Sequence, residues 1–130
     1  MHVLIAGGGG LIGRALTTDL LRENYSVTIL SRHAGSIKLP SGAQALHWDG
    51  INTSGWEREL ERTDAVVHLS GESIAGTGIL PQRWTAEKRG LIRSSRVSTG
   101  KVLSVAIDAA GHKPAVFIHA SAVGYYGPLG

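Results

Sequence analysis

His2-Val3-Leu4-Ile5-Ala6-Gly7-Gly8-Gly9-Gly10-Leu11-Ile12-Gly13-Arg14 is the stretch whose reading decides the fold. Residues 2–6 are nearly all apolar, as expected of a short strand in a sheet covered on both faces. Glycines then break the strand. From Leu11 the apolar residues Leu11, Ile12, Ala15, Leu16, Leu20 and Leu21 recur at helical spacing and stop near Asn24. A strand, a tight glycine turn and a helix N-terminus in that order make an anion site, because the first amides of the helix are unpaired and its dipole adds positive potential. Gly7, Gly10 and Gly13 stand at G-x-x-G-x-x-G spacing. The first suits the turn, the second the close approach of a pyrophosphate, and the third close packing of helix on strand. A phosphate loop of the Lys-Ser/Thr kind is excluded, since Arg14-Ala15 follows Gly13.

Outward from this stretch, strands alternate with helices. Residues 27–30 and 45–48 predict the second and third strands, and 56–60 a short helix. Residues 65–69 predict a fourth strand, 82–110 a long helix and 115–119 a fifth strand. Trp84, Leu91, Ile92, Val102, Leu103, Ala106 and Ile107 are the expected inner face of the long helix, which Gly90 and Gly100 are expected to weaken or bend. Alternation of this kind implies right-handed crossovers and a parallel sheet. With the glycine turn after strand one, the expected fold is α/β, a Rossmann-type doubly wound sheet of order 3-2-1-4-5. The chain ends in what reads as a loop, so residues 1–130 are expected to be the N-terminal cofactor domain of a longer protein.

The tip of the second strand discriminates between dinucleotides. An NAD site places Asp or Glu about 20 residues beyond the glycines to accept from the ribose hydroxyl. Leu30-Ser31-Arg32-His33 has no carboxylate there. Arg32 suits bidentate pairing with a 2′-phosphate, and Ser31 can donate a further hydrogen bond, so NADP(H) is the expected cofactor. Asp49, after the third strand, reads either as a partner for an adenine amine or as a solvated loop carboxylate. Leu69, Ser70 and Gly71 lie at the mouth beyond strand four, and Glu72 there reads as a ribose partner or a turn cap.

Composition narrows the class. The 130 residues are 42% hydrophobic and 18% charged, with 18 glycines and no cysteine. Disulfides and cysteine-based metal or thiol chemistry are thereby excluded, and a reducing compartment is consistent. The apolar start is too short for a secretory signal, and no run has transmembrane length, so a cytoplasmic protein without a membrane partner is expected. Net charge is +3 and leans on Arg83, Lys88, Arg89, Arg93, Arg96 and Lys101, opposed locally by Glu87. A solvated helix face explains this stretch better than a nucleic-acid surface.

The six histidines lack metal-ligand spacing, and no metal is expected. His68 and His119 end neighbouring strands and read as satisfied core or rim residues. Trp48, Trp56 and Trp84 read as packing residues. Ser121 and the pair Tyr125-Tyr126 follow the fifth strand on the same sheet edge as the glycine turn. A hydroxyl there is placed to hold a substrate oxygen during hydride transfer, and Ser121 is the candidate catalytic residue.

These residues resemble the extended, epimerase-like type of the short-chain dehydrogenase/reductase superfamily, and most of all its atypical NADP-binding members, the nucleoside-diphosphate-sugar epimerase-like proteins. The resemblance rests on residues 7–14, on Leu30-Ser31-Arg32, on Asp64-Ala65-Val66-Val67-His68-Leu69-Ser70-Gly71-Glu72, on Arg83-Trp84 and Ser95-Arg96, and on Ser121-Ala122-Val123-Gly124-Tyr125-Tyr126-Gly127. It implies that Ser31 and Arg32 hold the adenosine phosphate end and that Arg96 also reaches the cofactor. The superfamily serine matches Ser121, or Ala122 when the match is anchored on Tyr126 and Gly127. Where the family's glycine motif carries threonine, this chain has Gly9, which is expected to loosen the turn. The family's Tyr-x-x-x-Lys pair falls beyond Gly130. The cofactor-binding set is therefore Gly7, Gly10, Leu11, Ile12, Gly13, Ser31, Arg32, Asp49, Leu69, Ser70, Gly71 and Arg96. The expected function is that of an NADP(H)-dependent oxidoreductase or epimerase acting on a small-molecule substrate, a nucleotide sugar or small carbonyl compound. The alternative is a non-catalytic NADP(H)-binding sensor or interaction protein. The long helix offers a face for a homodimer.

Overall fold

Residues 1–71 and 85–121 are described by the computed structural model. Five parallel strands, β1 (His2–Ala6), β2 (Ser26–Ser31), β3 (Gln44–His47), β4 (Ala65–His68) and β5 (Val116–His119), form one sheet in the order β3-β2-β1-β4-β5. Helix α1 (Leu11–Arg22) follows β1, a 3₁₀ helix (Glu57–Arg62) precedes β4, and α2 (Ala86–Ala109) joins β4 to β5. The order is the one the sequence predicts. It follows from right-handed crossovers that start on opposite sides of β1.

Strands β1, β2 and β4 are largely apolar for the expected reason: two cores sandwich them, while β5 is exposed along its length. Val3, Ile5, Val27, Ile29 and Val67 meet the α1 side, with Leu16, Leu20 and Leu21 packed on them. Leu4, Ala6, Leu30 and Val66 meet Trp48, Trp56, Leu60, Leu103 and Ala106 on the other. Alternation along β1 thus sends neighbouring residues to different cores, so a one-residue register slip would exchange their contents. Trp48 and Trp56 pack edge to face at 5.6 Å, and both indole nitrogens donate to the Asn52 carbonyl. The packing role expected for these two is present; Trp84 lies outside the described residues.

Helix α2 continues through Gly90 and Gly100 over 24 residues. A side chain at Gly100 would lie 3.0 Å from His119 Cε1, so glycine there lets the helix approach the sheet. Leu91, expected on the inner face, is exposed. The helix meets the sheet only along its second half, where Leu103 and Ala106 are buried and Val102 and Ile107 half-buried. Thr85 caps α2 by accepting from the Lys88 amide, and the part of the predicted helix before it falls outside the described residues.

A charged cluster closes the amino end of the sheet. Glu59 Oε1 accepts from Thr28 Oγ1 at 2.7 Å and from Arg62 Nη2 at 2.6 Å, with His2 Nε2 at 2.9 Å. Burial disfavours the Glu59 carboxylate, but these partners outweigh it and hold its pKa below the usual value. Glu61 accepts from the amides of Gly111 and His112, tying the approach to β5 to the 3₁₀ helix.

Candidate functional site

The carboxyl end of the sheet is built by the glycine turn. Gly7 has φ +81, and a Cβ there would fall 2.6 Å from the Ser70 amide nitrogen, so the turn after β1 lies directly against the turn after β4. Gly13 is buried in α1. Its absent side chain leaves room for the Gly8 backbone, which a Cβ would meet at 2.5 Å. Gly10 is the N-cap of α1 and lacks close neighbours; the nearest atom to a Cβ there is Gly7 O at 3.9 Å. One glycine thus admits the turn, one admits the helix, and one leaves space for a ligand beside helix amides.

That space opens into a cavity of about 750 Å³ at the end of β1, β2 and β4. Gly7, Gly10, Ser31, Arg32, Asp49, Leu69, Ser70 and Gly71 line it, so eight of the twelve residues of the expected cofactor-binding set come together. Four do not line it. Gly13 is packed beneath the turn, and Leu11 and Ile12 are exposed on the first turn of α1. Arg96 stands half-buried on α2, its guanidinium carbon 2.8 Å from where a Gly71 Cβ would be, with Nη1 donating to the Ile92 carbonyl. It reaches the rim of the cavity through Gly71.

At the end of β2, Ser31 Oγ accepts from the His33 amide at 3.1 Å, which leaves its hydroxyl hydrogen to donate elsewhere. Arg32 is exposed at the cavity wall. Asp49 is exposed and lines the cavity; its carboxylate accepts from the amides of Ile51 and Asn52 and from the Asn52 side chain, each at 2.8 Å, as a loop carboxylate does. Those donors hold its pKa below the usual carboxylate value, the Asn52 and Ile51 amides first.

His68 and His119 meet as their strand positions suggested. Their Nδ1 atoms are 3.1 Å apart, and His68 Nε2 is 2.9 Å from Thr99 Oγ1. Thr99 Oγ1 also lies 2.5 Å from the Ser95 carbonyl, to which it donates. His68 Nε2 is then the donor to Thr99, and His119 Nδ1 the donor to the free Nδ1 of a neutral His68 ring. Burial, with the nearby charges of His119 and Arg96, pushes the His68 pKa down to about 4.

Ser121 is exposed just past β5 and does not line the cavity. Glu72, Tyr125 and Tyr126 fall outside the described residues. The α2 wall of the cavity was not foreseen: Ser94, Ser95, Ser98 and Thr99 supply it. Hydroxyl residues at i, i+1, i+4 and i+5 on one helix face were the available signal. Ile37, which also lines the cavity, sits in a loop without periodicity.

Sheet order, glycine turn and cavity position place the molecule in the Rossmann-type, doubly wound class of α/β proteins. The chain belongs to the NAD dependent epimerase/dehydratase family, whose model matches residues 3–130. It is 37% identical to the epimerase family protein SDR39U1 of Bos taurus over 128 residues, 98% of this chain and 39% of that protein. An epimerase family protein of Mycobacterium bovis is 39% identical over 125 residues, 96% of this chain and 38% of that one. Among solved structures, human epimerase family protein SDR39U1 (isoform 2) with NADPH superposes with a TM-score of 0.77 at 34% identity, covering 98% of this chain and 39% of that chain. A UDP-glucuronic acid 4-epimerase from Bacillus cereus shares the fold, with a TM-score of 0.75 at 24% identity, covering 98% and 42%. The chain thus spans about two fifths of the length of these relatives. Among the described residues no helix is long and apolar enough to cross a membrane.

Proposed function

We propose that this chain is the NADP(H)-binding part of an epimerase-like or oxidoreductase protein of the short-chain dehydrogenase/reductase type. The observation that carries the reading is the end of β2. The cavity runs from the glycine turn to Arg32, and the residues there, Ser31, Arg32 and His33, include no carboxylate to accept from a ribose hydroxyl. The human relative's structure with NADPH supports the same cofactor.

The residues fit such a group. The amides at the Gly10 cap of α1 face the open space that a pyrophosphate needs, and Arg32 with the Ser31 hydroxyl would hold the 2′-phosphate. Asp49 and the α2 hydroxyls would border the adenosine, and Leu69, Ser70 and Gly71 its passage across the sheet, with Arg96 behind Gly71. When bound, the cofactor supplies a hydride at its nicotinamide ring. Ser121, beyond the carboxyl end of β5, would hold the oxygen of a nucleotide sugar or small carbonyl substrate.

Arg32→Ala tests this. Loss of a charge-assisted pair costs about 1.5–3 kcal/mol, so NADPH should bind roughly ten- to a hundredfold more weakly while NADH is little changed. Calorimetric titration of both cofactors reads the difference. An equal effect on the two refutes the 2′-phosphate assignment.

A further inference from the structure

Gly9 is the glycine of the turn that neither the tight φ of Gly7 nor the helix packing of Gly13 explains. A Cβ placed on it would lie 2.5 Å from Ile37 Cδ1 and 3.4 Å from Ile37 Cγ1, and among the described residues it would meet no other atom within 4 Å. Its φ is outside the left-handed region, so the backbone itself would accept a side chain there. The missing methyl is a space that Ile37 fills.

Ile37 belongs to the segment after β2. The amides of Ser36 and Ile37 both donate to the His33 carbonyl at 3.0 Å, closing one turn over residues 33–37. The His33 amide in turn donates to Ser31 Oγ. Arg32 therefore sits between two fixed points, the end of β2 and a turn whose far end is Ile37. Ile37 is half-buried, packed on the α1-side core, and its tip lies over Gly9 on the cavity wall. Within the turn Arg32, His33, Gly35 and Ser36 are all exposed, and Leu39, two residues beyond Ile37, packs on the same core.

We propose that the Gly9–Ile37 contact is a latch that holds the 33–37 turn against the glycine turn, making Ile37 a positioning residue that sets the preference for a dinucleotide bearing a 2′-phosphate. The inference rests on the reading of Arg32 given above. An arginine side chain loses several rotatable bonds of freedom on binding, and a backbone held in one place reduces the further loss. The pyrophosphate is assigned to the Gly10 cap of α1, where the nearest atom to a Cβ is Gly7 O at 3.9 Å and not Ile37, so its recognition does not require the latch.

The test moves one methyl group between the two residues. Gly9→Ala adds a methyl where Ile37 Cδ1 lies and pushes the turn outward; Ile37→Val removes Cδ1 and leaves a gap; Gly9→Ala with Ile37→Val exchanges the two. The protein and these variants, with Arg32→Ala beside them, are titrated with NADPH and with NADH by calorimetry. Amide hydrogen exchange at residues 33–37 is measured without cofactor. Each single variant should lose about three- to tenfold of its NADPH preference over NADH, speed exchange in the turn, and leave NADH affinity within about twofold. The double variant should recover both preference and protection.

Unchanged preference in both single variants, with Arg32→Ala abolishing it, overturns the latch and leaves the Arg32 reading standing. Equal loss of both cofactors in Gly9→Ala overturns it also, since the added methyl would then be disturbing the pyrophosphate turn alone. Faster exchange in the singles without effect of Arg32→Ala on preference places the failure in the cofactor reading. Should Gly9→Ala not fold, Ile37→Val carries the same comparison by itself.

Discussion

Gly13→Ala and Gly10→Ser are expected to move stability in opposite directions, although both add a small side chain to the same glycine turn. At Gly13 the new methyl would sit 2.5 Å from Gly8 Cα and 2.7 Å from Gly8 C and O. Carbon atoms rest at about 3.5–4.0 Å, so α1 must back away from the turn by roughly 1 Å. The obstacle is backbone rather than a mobile side-chain tip, which puts the overpacking cost toward the upper part of about 1–3 kcal/mol. Alanine regains about 1 kcal/mol of helix propensity, leaving a net loss of about 1–2 kcal/mol. For a chain of this length that lowers Tm by roughly 4–10 °C. Gly10 has no such obstacle and already holds N-cap geometry, φ −76 and ψ 177, without a side-chain cap. Serine can supply one, so Gly10→Ser should gain a few tenths of a kcal/mol. Its side chain occupies the approach to the helix amides, and dinucleotide affinity should fall about tenfold or more. Thermal and urea denaturation, followed by titration with NADPH, read both quantities. If Gly13→Ala is as stable as the parent, or Gly10→Ser is destabilised as much as Gly13→Ala, the division of labour among these glycines is wrong.

His68 makes stability fall with acid. The unfolded chain takes up a proton on this ring near its ordinary pKa of 6.5, the folded chain only near about 4. The unfolded state therefore binds more protons between those values. Stability is full above pH 6.5 and is lost as pH drops toward 4, on the order of 2–3 kcal/mol in all. His68→Asn should flatten this slope in urea titrations between pH 7 and 4.5; an unaltered slope would assign the loss to other groups. At the amino end of the sheet, Glu59→Ala strands the buried Thr28 hydroxyl and removes the partner of Arg62 and His2, and should cost about 2–3 kcal/mol. Thr28→Val should cost less, because Arg62 and His2 still accompany the carboxylate; equal costs in denaturation would refute that ordering.

The sheet was legible because its causes are local. Apolar runs of four to six residues, glycines after the first and a helical period after those state the elements, and crossover handedness then orders them. That Ser31, Arg32 and Leu69 through Gly71 line one cavity was legible in the same way, since strand ends in a parallel sheet converge on one edge. Helix α2 was only half legible. Its period predicted an inner face from Trp84 onward, yet Leu91 is exposed, and the helix meets the core along its second half, from Gly100 through Leu103 and Ala106.

By itself, then, the sequence determined the fold class, the place of the glycine turn and the absence of an acid at the end of β2. Each is a property of neighbouring residues. Only the tertiary structure decided that Gly100 lets α2 approach the sheet, which hydroxyls of α2 form the cavity wall, and that Ile37 lies across Gly9. Those facts depend on distances between segments far apart in the chain, set by how closely a helix or loop can pack on the sheet, and no local pattern records such a distance.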